Sequence, residues 1–169
     1  FRLLLPHLVD RVTCHVIDLP SSGSSRFDDD TPMSISQHIA TVQRVADLLD
    51  LKSFAAVGHN SGGMIARHAF TGDTRLRSMG LINTEQSRGL SWRFKLFLAG
   101  RNVPGYGEML GWLAGKPGLR RNGFVLGDAF ADRSLLDGEF DEFFLRPLHE
   151  QPSRRRAAIR VLRTFDQRF

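Results

Sequence analysis

The chain has 169 residues, 41% of them hydrophobic and 24% charged, with a formal net charge of +5. These figures fit one soluble globular domain of ordinary size, or a core with a small appendage, and exclude a disordered chain. No apolar run approaches the roughly 20 residues that span a bilayer, and the positive charge is scattered arginine without an aromatic-interleaved stripe, so neither a membrane nor a nucleic acid is expected as a partner.

The first residues, Phe1 to Pro6, are too short for a signal peptide and lack a small-residue cleavage site; with no initiator Met, the chain reads as starting inside a longer protein. Leu3 to Val9 looks like the tail of a helix, and Val12 to Leu19 like a strand. The single cysteine, Cys14, lies in that strand as an expected buried, inert thiol. One cysteine allows no internal disulfide framework and suits a reducing cytosol, so a cytoplasmic location is expected. Pro20 to Ser25 is rich in turn residues. Ser34 or Ser36 can cap the helix that follows, which places Ile35, Ile39, Val42, Val45, Ala46 and Leu49 at helical spacing. Leu51 to Asn60 reads as a second strand, Gly62 to about Thr71 as a second helix, and Ser78 to Asn83 as a third strand. Strands alternating with helices of this length imply parallel pairing and right-handed crossovers. Ligands in such sheets bind beyond the carboxyl ends of the strands, here Asp18-Leu19-Pro20, His59-Asn60-Ser61 and Thr84-Glu85-Gln86, all polar.

The character changes near Arg88-Gly89. Trp92, Phe94, Leu96, Phe97, Tyr106, Met109 and Trp112 belong to an aromatic segment broken by glycines and prolines, expected to be core at helical spacing. Phe124 to Phe130, Phe140 to Leu148 and a helix from Pro152 to about Phe165 follow, giving a mostly helical second unit. The expected division is 1–88 and 89–169. The run Arg154-Arg155-Arg156 reads as a solvated helix face.

The segment Ala56-Val57-Gly58-His59-Asn60-Ser61-Gly62-Gly63-Met64-Ile65-Ala66 packs the most information. An apolar strand ends in a tight, glycine-flanked turn and a helix starts at once, a layout that holds one side chain exposed at a sharp corner. Small residues are needed on both sides because such a turn leaves no room for neighbouring side chains. Counting from Gly58, the residue at the corner is Asn60, not Ser61.

Val57 to Gly63 resembles the nucleophile elbow of the α/β-hydrolases, in the branch of epoxide hydrolases and haloalkane dehalogenases, where Gly-His-Asp-x-Gly-Gly carries an aspartate nucleophile. Val16 to Ser25 resembles the same family's Asp-x-Pro-Gly-x-Gly-x-Ser segment. Thr84-Glu85 stands where the family's next strand ends and its helical cap begins. The resemblance implies an α/β fold: a partial α/β-hydrolase parallel sheet flanked by helices, with residues 1–88 as an incomplete core and 89–169 as a cap. It implies a small-molecule substrate and hydrolysis through an ester on the corner carboxylate, opened by a His-activated water. Ser61 would give one oxyanion-hole N–H. The second donor and the catalytic His would lie before Phe1 and beyond Phe169, and Glu85 stands where some members place the acid that orients the His. The family strand between Val12–Leu19 and Leu51–Val57 would also precede residue 1, so the chain alone is expected to expose a sheet edge and to aggregate or need its flanks. His149 falls in the helical insertion, where a packing or surface role is expected. Ser61 replaces the Trp that dehalogenases use for halide, which favours epoxide or ester hydrolysis.

Asn60 departs from the pattern, since an amide attacks carbon weakly. Three readings stay open: a catalytically silent binding or vestigial protein that keeps the pocket; an Asn60 that deamidates or itself attacks poorly; or a displaced serine nucleophile at Ser61. No cofactor is implied, for the chain has no phosphate loop, dinucleotide fingerprint or metal-ligand cluster. The sequence sets no oligomeric state.

Overall fold

The computed structural model describes residues 1, 3–84 and 89–165. A 3₁₀ turn at Leu5–His7 opens the chain. Helix α1 (Ile35–Leu48) follows, with Ser34 as its cap: the Ser34 hydroxyl accepts from the Gln37 amide. Strand β1 (Phe54–His59) leads into α2 (Ser61–Phe70), and β2 (Leu76–Ile82) returns beside β1. The helical half comprises α3 (Trp92–Ala99), α4 (Tyr106–Ala114), the single turn α5 (Pro117–Arg120), α6 (Arg146–Glu150) and α7 (Pro152–Thr164). A π-helical turn, Asp141–Leu145, runs into α6. The fold is mixed α/β, with a short parallel sheet flanked by helices.

β1 and β2 pair in parallel from Ala55 opposite Ser78 to His59 opposite Ile82, after a register slip beyond Phe54. The residues expected as a first strand, Val12 to Leu19, are irregular. Strand character needs a ladder partner, and among the described residues this run has none; Val12, Val16 and Ile17 stay 40–59% exposed. Cys14, expected to be buried, is only half-buried for the same reason. The helix tail expected at Leu3–Val9 is reduced to turns around the 3₁₀ segment.

The core forms where helical and strand periodicities meet. Ala46 of α1, Ala56 of β1 and Ala69 and Phe70 of α2 are buried together, and the Phe54 and Phe70 rings meet edge to face at 4.8 Å. A second cluster sets Ile35, Met64 and Ile65 against Leu19, Val161 and Phe165. The last helix therefore packs back on the first two, and Thr164 Oγ1 accepts from the Ile35 amide at 3.1 Å. In the helical half, Leu136, Leu145 and Ala114 form a third cluster. Beside it, the buried Arg120 pairs with Asp137 at 3.0 Å and with Asp141. Among the described residues no helix is long and apolar enough to cross a membrane.

Two aromatic expectations change. Trp92 and Trp112 are 62% and 53% exposed rather than core. Cations cover them instead: Arg93 lies 5.5 Å from the Trp92 ring centre and Lys116 5.9 Å from that of Trp112.

Candidate functional site

The corner between β1 and α2 is a single residue. Asn60 has φ 53° and ψ −130°, in a region that costs a non-glycine residue about 1–3 kcal/mol. Hydrogen bonds on both sides hold it there. Its amide donates to Ile82 O at 3.0 Å, which ties the corner to the end of β2, and its carbonyl accepts from the Gly63 amide at 3.0 Å, which starts α2. Close approach of helix and strand does the rest. A Cβ on Gly58 would stand 2.5 Å from Gly62 O and Gly63 Cα, and one on Gly63 would stand 2.8 Å from the Thr84 side chain. Gly62 differs: a Cβ there meets nothing within 4 Å. Of the three glycines, two are sterically required among the described residues.

Asn60 and Ser61 are both exposed. Asn60 Oδ1 accepts from the Ser61 backbone N–H at 2.6 Å. Only the amide oxygen can accept this proton, so the orientation of the amide is fixed by chemistry. Nδ2 is then the end with no hydrogen bond among the described residues. A carboxylate in the same rotamer would keep one oxygen on Ser61 N–H and present the other in place of Nδ2.

Two further loops pack on α2 beside this corner. Thr84 brings the end of β2 against the first turn of α2 through Gly63. Leu19 packs with Ile35, Met64 and Ile65, which holds the Asp18-Leu19-Pro20 loop on the α2 side. Asp18 is committed to shaping that loop: its Oδ2 accepts from the Ser24 amide at 2.8 Å, and its carbonyl accepts from Ser25 Oγ. Gly23, at φ 53°, lies so close that a Cβ would fall 2.1 Å from Asp18 Cγ. Ser21 adopts φ 81°, where the motif it resembles has glycine. Glu85, the expected acid, lies outside the described residues, as does Gln86.

The histidines take separate places. His59 is exposed beside the corner. His149 sits in α6, its Nδ1 3.2 Å from Gly111 O and its ring over Gly115, a packing arrangement within the helical half. His38 is 3% exposed on α1 with no partner for Nδ1 among the described residues, and burial pushes its imidazole below the usual 6.5. Among the described residues no group of three or more His, Cys, Asp or Glu is placed to hold a metal ion.

The arginine run expected as a solvated face is so at Arg156, which stays 53% exposed, while Arg154 and Arg155 are half-buried. Arg154 lies 5.2 Å from the Phe27 ring centre, Arg155 crosses Gly111, and Arg156 pairs with Asp29 at 2.9 Å. With Arg160 and Arg163 they form a basic wall that sequence reasoning passed over, although Arg156, Arg160 and Arg163 repeat at helical spacing.

A strand, a one-residue corner at positive φ and a helix closing over two obligatory glycines are a fold-level pattern, and comparison with known families agrees with it: a family described as alpha/beta hydrolase fold matches residues 1–110. The chain belongs to the α/β-hydrolase fold family. In this α/β-hydrolase fold protein, the matched stretch takes in the Asp18 loop, the Asn60 corner and both strands, and continues through α3 into α4. A comparison with curated proteins finds no match.

Proposed function

We propose that the protein is a small-molecule hydrolase scaffold of the epoxide hydrolase-like type, impaired at one atom. The observation that carries this reading is the Asn60 corner, a nucleophile-elbow geometry whose side-chain oxygen already rests on the Ser61 N–H at 2.6 Å. In an aspartate enzyme of this type one carboxylate oxygen attacks the substrate carbon. The C–O bond of an epoxide opens and its oxygen, leaving as an alkoxide, takes a proton from water. An ester substrate would instead lose its alcohol oxygen and leave an anhydride. In either case negative charge on the other oxygen during later hydrolysis is held by backbone donors. Asn60 retains the held oxygen. At the attacking position it has an amide nitrogen, whose lone pair is delocalised and whose protons point outward. The residues after 88 act as the lid that shapes the substrate pocket, and Glu85 orients the His that activates water. Ser61 in place of a halide-binding Trp favours epoxides or esters over haloalkanes.

A second reading, a catalytically silent binding protein, draws on the same Nδ2, since an amide N–H can donate to a ligand but not attack it.

One experiment separates them. Turnover of styrene oxide and p-nitrophenyl acetate is measured on the full-length protein, on Asn60→Asp and on Ser61→Ala, with far-UV CD to confirm folding. Asn60→Asp is expected to raise turnover by roughly 10³-fold or more, as restoring a missing nucleophile does. A folded Asn60→Asp with no gain leaves the silent reading standing and overturns the impaired one. Activity in the parent that disappears in Ser61→Ala overturns both in favour of a serine nucleophile.

A further inference from the structure

Between α4 and α7 lies a groove of about 420 Å³, within the range of pockets that hold metabolite-sized molecules. Its walls are largely apolar, from Val103, Pro104, Tyr106 and Ile159, and carry the charges of Arg155, Arg156, Arg160 and Arg163 from α7 with those of Asp29 and Glu108. None of the corner residues lines it. The groove exists because Gly107 and Gly111 let α7 close on α4; a Cβ on Gly107 would stand 3.1 Å from Ile159, and one on Gly111 2.4 Å from Arg155.

The arginines are held in place, and among the described residues only Arg156 of the four is paired with a carboxylate. Arg156 Nη2 donates to both oxygens of Asp29, at 3.1 and 2.9 Å. The others are fixed by backbone carbonyls: Arg155 by those of Leu148 and His149, Arg160 by that of Asp29, Arg163 by that of Arg101. Two positive charges are left in excess of the two carboxylates. Arg155 Nε and Arg160 Nε and Nη2 are closed off from solvent and have no hydrogen-bond partner among the described residues. These atoms therefore give the groove charge rather than donors, and the exposed guanidiniums of Arg156 and Arg163 are the ones open to a ligand. Helix α4, nine residues long, begins at the same groove without a side-chain cap, so its orphan N–H groups add partial positive charge.

We propose that this groove binds a small molecule through a phosphate group. A guanidinium fork pairs with an oxyanion through two parallel bonds, and the excess of two positive charges matches a dianion rather than a monocarboxylate. The groove is wide enough for the organic body that carries the phosphate. This site is independent of the corner chemistry, so its test does not depend on any activity there.

The test is titration of the full-length protein with inorganic phosphate, with phenyl phosphate and with acetate, at fixed ionic strength, followed by calorimetry. Phosphate and phenyl phosphate are expected to bind saturably, phenyl phosphate more tightly, and acetate at least about tenfold more weakly. Arg160→Gln and Arg163→Gln should each weaken phosphate about tenfold, the scale of a charge-assisted hydrogen bond, while Arg11→Gln, on an exposed residue away from the groove, leaves it unchanged. Glu108→Gln should tighten phosphate, a direction that partial unfolding does not mimic and that therefore decides the matter if an arginine variant fails to fold. Acetate binding as tightly as phosphate, phosphate binding equally in all variants, or equal losses in Arg160→Gln and Arg11→Gln would each overturn the proposal.

Discussion

Gly58→Ala and Gly62→Ala are the same chemical change four residues apart, and the structure gives them opposite signs. At Gly58 the new methyl group would stand 2.5 Å from Gly62 O and from Gly63 Cα, and 2.7 Å from Gly62 C. All three are backbone atoms of the first turn of α2, so no side chain can swing aside. Ordinary contact begins near 3.4 Å, so α2 must retreat from β1 by about 0.9 Å. That retreat disturbs Met64 and Ile65, each 2% exposed. Overpacking of this kind costs about 1–3 kcal/mol, and with backbone on every side the expected loss is at the upper end, about 3 kcal/mol. For a protein of this size it lowers Tm by roughly 6–12 °C. At Gly62 nothing among the described residues lies within 4 Å and φ is not positive, so alanine only restricts the unfolded chain and adds about 0.5 kcal/mol. Urea unfolding of the full-length variants, compared at constant m, reads both changes as shifts in midpoint. A Gly58→Ala within about 0.5 kcal/mol of the parent, or a Gly62→Ala as damaging as Gly58→Ala, would refute the claim that close helix-strand approach dictates the glycine pattern.

Other outcomes follow from particular side chains. Burial depresses the His38 pKa, so in the folded state the imidazole stays neutral at pH values where the unfolded chain already binds a proton. Stability should hold above the usual 6.5 and fall as pH drops below it, towards the lower folded value. His38→Phe should flatten that part of a stability-pH curve, and an unchanged slope would remove His38 as its cause. Ser21 adopts φ 81°, where an L-residue costs about 1–2 kcal/mol and glycine repays part of the relief as lost chain entropy. Ser21→Gly should therefore stabilise by about 0.5 kcal/mol in urea unfolding, and a loss would mean that the serine makes a compensating contact. Deamidation at Asn60, with the Ser61 nitrogen already beside its side chain, should appear as turnover that grows during alkaline storage and is absent from Asn60→Gln.

What the sequence makes legible here is local. The Ser34 cap, the helical spacing over Ile35 to Leu48 and the glycine-flanked corner are each decided within a few residues, and each stands where the spacing predicts. The third strand begins two residues earlier than expected, at Leu76. Val12 to Leu19 fails because a strand is a relation between two segments, and apolar composition names only one of them. Trp92 and Trp112 fail for a related reason: helical spacing cannot distinguish a ring under other apolar groups from one under a cation. The groove was hidden because Arg154 to Arg156 look solvated until Gly107 and Gly111 on another helix are known to let α7 approach. At the corner, composition identifies Asn60, but which of its two amide atoms is held depends on a backbone angle that no residue letter encodes.

The packing of α7 on α1 and α2 has a consequence in time. Met64 and Ile65 are covered by Leu19 from earlier in the chain, but also by Val161 and Phe165, nearly a hundred residues later. At about 5–20 residues per second of synthesis, α2 leaves the ribosome on the order of 10 s before its last covering side chains exist. During that interval the helix that carries Ser61 has one apolar flank in water, and the corner's strained dihedrals rest on their bonds to Ile82 and Gly63. The packing that steadies the corner's helix is thus completed by residues made nearly a hundred positions after it.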